Sequence, residues 1–135
     1  ATAAALLQRL AEGAALPPAA VSALLPVARR LAEADCEAQA IVAMRFLLAV
    51  VEVSWPPIVL ALRNVGTPQR AYVECEEVAQ RLAALAVCVR AMSKSVRVTR
   101  RSNGQLAPLC RHLKVSLEEA LAAAGRGGAA RGAPS

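Results

Sequence analysis

The chain has 135 residues, a formal net charge of +6 and three aromatic side chains, Phe46, Trp55 and Tyr72. That length suits one domain around a single core. A composition rich in Ala, Leu, Val and Arg, with so few aromatics, favours helix and argues against a sheet. The expected fold class is all-α, a helical bundle or solenoid-like array of about five helices.

In chain order, Thr2 caps a first short helix that Gly13 ends. Pro17 and Pro18 suit the first turn of a second helix reaching about Ala34, with Pro26 inside it as a kink or a one-turn offset. Asp35 caps a third helix, CEAQAIVAMRFLLAVVEVSW, apolar around most of its circumference and therefore central. Pro56 and Pro57 should break or bend it after Trp55, leaving IVLALRNV for one or two more turns before Gly66. The longest charge-free stretch, Gly13 to Ala28, contains three prolines, and the apolar region 38–62 is broken by Arg45 and Glu52. Neither approaches ~20 uninterrupted apolar residues, so no membrane span is expected. No secretory leader pattern is visible either.

Thr67-Pro68 marks the start of a fourth helix, with the cap at Thr67 and proline in the first helical position. Along it, Val78, Leu82, Leu85, Val89, Met92 and Val96 recur at spacings of three and four, a narrow seam for packing against neighbouring helices. Glu74, Glu76 and Glu77 fall near its start and read as first-turn carboxylates. RVTRRSNG reads as a loop, and a last helix spans about Gln105 to Ala124 with Pro108 in its first turn. The domain is thus expected over 1–124, and the Gly- and Ala-rich remainder, 125–135, as a disordered tail.

Charge is unevenly spread. Residues 1–77 hold six basic against eight acidic groups, whereas 78–117 holds eight basic and no acidic group. Arg90, Lys94, Arg97 and Arg101 follow helical spacing, with Arg100 beside them, and Arg111 and Lys114 could join them from the last helix. Such concentrated charge suits an acidic partner better than a merely solvated face, which usually mixes signs. Nucleic acid is the weaker reading, because stacking aromatics and a helix-turn-helix are both missing from the sequence. A membrane surface is weaker still, because the face opposite the charge is taken by the seam.

Catalysis is not expected. His112 and Asp35 are the single histidine and aspartate and lie on distant segments, and no glycine-rich phosphate loop precedes a helix. Cys36, Cys75, Cys88 and Cys110 lack the short spacings of a zinc or redox motif and are expected as reduced, partly buried thiols, with no metal and no cofactor.

LLPVARRLAEADCEAQAIVAMRFLLAVVEVSWPPIV, followed by ECEEVAQRLAALAVCVRAMSKSVRVTRRSNGQLAPLCRHL, resembles the C-terminal domain of the katanin regulatory subunit. The likeness rests on Leu-Pro in the second helix, the long apolar helix, the Glu/Cys-rich start of the next, and its exit through Ser93-Lys94-Ser95 and Asn103-Gly104. It runs nearly ungapped from about Ala5 to Leu117, whereas Pro17-Pro18, Trp55 and the tail depart from the pattern. A WD-less katanin-like relative carries a similar domain.

The resemblance implies further helices before Ala1 and a non-catalytic domain that pairs with the N-terminal helical domain of the katanin AAA ATPase subunit. It also implies contact with microtubules, influence on severing, recruitment of spindle-pole or minus-end adaptor proteins, and a place in the cytoplasm on the cytoskeleton. Tubulin is acidic, so Arg90, Lys94, Arg97, Arg100, Arg101, Arg111 and Lys114 become the expected microtubule-binding residues. The apolar surplus of the N-terminal half points to a partner-binding face at Leu6, Leu7, Leu10 and Leu24. A nucleic-acid-associated helical module and a purely structural helical adaptor are the alternatives.

Overall fold

A computed structural model describes residues 2–13, 15–34, 36–94 and 105–132. Among them the fold is all-α, in five helical runs. These are α1 (Thr2–Ala11), α2 (Pro18–Ala32), α3 (Glu37–Ala49) continued through a π-helical turn (Val50–Ser54) into α4 (Trp55–Arg63), α5 (Gln69–Ser93) and α6 (Leu106–Gly132). The central run touches every neighbour: α3 packs on α1, α2 and α6, and α4 on α5 and α6. α5 in turn packs on α2 and α6.

α2 starts at Pro18, where a missing N–H costs nothing, and runs through Pro26 to Ala32. Pro26 lies on the exposed side, and the residues it leaves facing inward, Val21, Leu25, Ala28 and Ala32, are all buried. The expected interruption is therefore absent. Asp35 lies outside the described residues, and the position before α3 is held by Cys36, which makes no side-chain capping bond.

The greatest departure from expectation is at Trp55-Pro56-Pro57. Instead of breaking, the chain slips into a π-helical turn just ahead of the prolines, and the Trp55 N–H reaches back to the Val50 carbonyl. Two successive residues without N–H groups remove two α-type bonds, and the wider turn changes register before they are needed. Both prolines then sit in the first turn of α4, where such donors are unpaired anyway. The result is a continuous run Glu37–Arg63 of 27 residues with a mean hydropathy of 1.7 over its most apolar window, long and apolar enough to cross a membrane by length and composition. This overturns the length-based reason for excluding a span. Here 39% of that window is buried inside the bundle, and Met44, Phe46, Leu47, Val50, Trp55 and Ile58 belong to its core.

Between α4 and α5, the Asn64 side-chain oxygen accepts the Gly66 N–H at 2.9 Å. The Thr67 hydroxyl donates to the Ala61 carbonyl at 2.6 Å, so Thr67 closes α4 rather than capping α5. Pro68 occupies the cap position of α5 and Gln69 its first turn. Glu74, Glu76 and Glu77 consequently lie beyond the first turn, unlike the sequence expectation.

The seam is as spaced: Val78, Leu82, Leu85 and Val89 are buried, Met92 is half-buried, and Cys75 extends the line one step earlier. Val96 and the segment 97–104, expected as a loop, lie outside the described residues. α6 begins at Leu106 with Pro108 in its first turn and runs to Gly132, past the expected end at Ala124. Part of the stretch expected as a structureless tail is thus helix, in keeping with the high helix propensity of its alanines.

Candidate interaction surfaces

The first surface is basic. α5 and α6 pack on each other so that the Cys110 thiol, at the start of α6, lies 3.9 Å from the Val89 carbonyl near the end of α5. That brings the end of α5, carrying exposed Arg90 and Lys94, beside the first turns of α6, carrying exposed Arg111 and half-buried Lys114. Lys94 occupies the C-cap of α5, where a cation meets the negative end of the helix dipole. Arg97, Arg100 and Arg101 lie outside the described residues. Arg90 is not a free member of the group: its guanidinium stands 3.2 Å from the Glu118 carboxylate on α6. The acid-free run in sequence therefore borrows one acid in space.

The second surface lies between α2 and α5. Ser22 donates its hydroxyl proton to Glu77 at 2.7 Å, and Cys88 lies 3.2 Å from Glu33. Each pair is separated by fifty-five residues, so the two helices run parallel and in register between these points. Ser22 is buried, and its bond to Glu77 satisfies a hydroxyl that would otherwise be costly there. Glu77 also holds Arg81 at 3.2 Å, and Arg29 stands 3.8 Å from Glu33. Both ion pairs are roughly half exposed, a setting in which such pairs contribute little.

Two hollows open along this junction. One, of about 290 Å³, is lined by Ala19, Ser22, Ala23, Glu74, Glu77 and Arg81. The other, of about 160 Å³, is lined by Leu25, Pro26, Arg29, Ala84, Leu85 and again Arg81. None of these residues figured in the site expected from sequence. The available signal was Ser22, the one polar side chain among α2's buried positions, which implied a polar partner on a facing helix.

The leucines expected to bind a partner separate. Leu7 is completely buried in the core, so it offers nothing to a partner and that expectation is corrected. Adjacent leucines on a helix point about 100° apart, and Leu7 is the one turned inward. Leu6 is 48% exposed, while Leu10 and Leu24 are half-buried against the core. Other exposed apolar groups include Leu60 and Val53 on the central run and Val87 on α5.

The four thiols are free. Cys75, Cys88 and Cys110 are all held above the ordinary thiol value. Burial is the main cause in each, seconded by Glu74 at Cys75, by Glu33 at Cys88 and by the neighbouring Cys88 at Cys110. Raised values make poor nucleophiles and poor metal ligands at neutral pH. Among the described residues no three His, Cys, Asp or Glu side chains gather as a metal site. His112 is exposed on α6.

What fold and surfaces define is an all-α helical array with a basic end and a mixed-charge groove. No family model matches the chain, and neither a curated protein nor a solved structure matches it.

Proposed function

We propose that the chain is a non-catalytic regulatory domain that pairs with the N-terminal helical domain of a katanin AAA ATPase subunit and supplies a basic surface for microtubules. The sequence pattern names the family, and one structural observation supports the reading: Lys94, Arg111 and Lys114 lie at the end of the bundle where α5 gives way to α6. An exposed group of cations there steers encounter with an acidic lattice, an attraction that weakens once salt above 0.1 M shortens the Debye length below ~10 Å. Arg97, Arg100 and Arg101, in the connecting segment, belong to the same proposed contact, with Arg90 contributing what its pair with Glu118 leaves free. The ATPase chemistry belongs to the partner, no cofactor is needed, and the site of action is the cytoplasmic cytoskeleton, with spindle-pole or minus-end proteins as further partners.

Two measurements test this. A pull-down with the ATPase subunit's N-terminal domain should retain the chain. Microtubule co-sedimentation should fall at least tenfold for Arg97, Arg100 and Arg101→Glu and for Lys94, Arg111 and Lys114→Glu, with helicity intact. Unchanged co-sedimentation in both triples removes the microtubule surface from the proposal. DNA binding with a steep salt slope, in the absence of microtubule binding, would favour the nucleic-acid module instead.

A further inference from the structure

We infer that the groove between α2 and α5 receives one amphipathic helix of the partner, laid antiparallel to both. The inference rests on the proposed pairing for the partner's identity and goes beyond it by naming the docking face. The floor is set by register: Ser22–Glu77 and Glu33–Cys88 hold the two helices parallel over eleven residues, about 16 Å or three turns. Along that length the two hollows meet at Arg81. Leu25 and Leu85 lie buried beneath them, while the lips at Ala19, Ala23 and Ala84 are exposed and carry only methyl groups. A ridge of larger aliphatic side chains from another helix can enter such a trough, as in ordinary helix packing.

Charge sets the polarity of the occupant. Glu74 and Glu77 line the end beginning at Ala19, and Arg29 lines the other, with Arg81 between them. Because their present ion pairs are exposed and weak, these groups can take a partner's charges at little cost. An antiparallel helix begins at the Arg29 end, where an acidic residue in its own first turn is favoured by its dipole. Ser22 to Arg29 spans seven residues, about 10 Å, so the fitting pattern is an acid at i, large aliphatics at i+3 and i+4, and Lys or Arg at i+7. The occupant is therefore a helix of alternating charge with a narrow apolar ridge.

The test uses the full chain and the ATPase subunit's N-terminal helical domain, titrated calorimetrically. Ala23→Arg with Ala84→Arg fills the trough from exposed positions and should weaken binding at least tenfold, with melting and circular dichroism unchanged. Leu60→Arg, on α4, should bind like the parent. Hydrogen exchange of the unmodified pair gives a readout independent of folding in the variants, with protection gained across 19–29 and 74–85. If the parent binds but the double variant binds equally, or protection falls elsewhere, the groove is overturned and the pairing stands. If the parent does not bind at all, both are overturned.

Discussion

The indole Nε1 of Trp55 donates a hydrogen bond to the carbonyl oxygen of Ala120 at 3.1 Å, across a buried contact between the central run and α6. Two turns along α4, Arg63 repeats the gesture at the exposed edge, its Nη2 3.2 Å from the Ala123 carbonyl. Trp55→Phe keeps most of the ring and removes the donor, so urea unfolding should show a loss of ~1 kcal/mol. Trp55→Ala should cost ~3–5 kcal/mol by opening a cavity. Equal stability of Trp55→Phe and the parent would show that the bond contributes nothing.

The seam of α5 separates sharply from its outer face. Leu82 is completely buried and Val87 is 65% exposed on the same helix. Leu82→Ala is expected to cost ~2–5 kcal/mol, and Val87→Ala to remain within ~0.5 kcal/mol of the parent. Denaturant midpoints at constant slope are the check; similar shifts for both would place the core elsewhere.

Glu118 is the acid that reaches the basic end. Glu118→Gln releases Arg90 and should strengthen microtubule co-sedimentation two- to threefold at low salt, with the gain vanishing as salt is raised. Stability should change by less than ~1 kcal/mol, since both side chains are 39–51% exposed. Weaker microtubule binding in this variant would count against the charge-driven contact.

The thiols give a prediction in pH. Cys75, Cys88 and Cys110 are raised in the folded state above their ordinary value of 9.0, so the folded protein holds these protons more tightly than the unfolded chain. Their contribution to stability is complete below pH 9.0 and is lost as pH rises from there through the folded-state values. Unfolding free energy should therefore decline above that pH, and less steeply in Cys88→Ala with Cys110→Ala. In native alkylation at neutral pH, exposed Cys36 should be modified first and buried Cys75 and Cys110 last. An identical alkaline slope in the double variant would discount the two thiols.

The seam from Val78 to Met92 could be read from sequence because helical spacing encodes burial directly, residue by residue. The long apolar run was legible as central for the same reason, but its continuity through Pro56 and Pro57 was not. A π turn leaves no periodic mark, since it adds a residue without changing composition. The choice between Leu6 and Leu7 turned on which way a short helix rolls, a tertiary matter. The α2–α5 groove was the least legible part. Ser22–Glu77 and Glu33–Cys88 join segments far apart in sequence, and a register of that kind emerges only once both helices are packed. The basic residues were identified correctly as a charge excess, whereas the pairing of Arg90 with Glu118 required the fold.

The π turn at Val50–Ser54 also sets a limit on how this chain can change length. A helix that carries one residue more than its regular winding can lose one and close into an ordinary helix, a local relief. Everything downstream would then rotate by about 100°. Trp55 and Ile58, now buried, would swing away from α6, while exposed Val53 stands just before the hinge of that rotation. A single-residue deletion at Val51 should accordingly yield a smoother helix and a poorer protein: local winding and global fit are set against each other at this one turn.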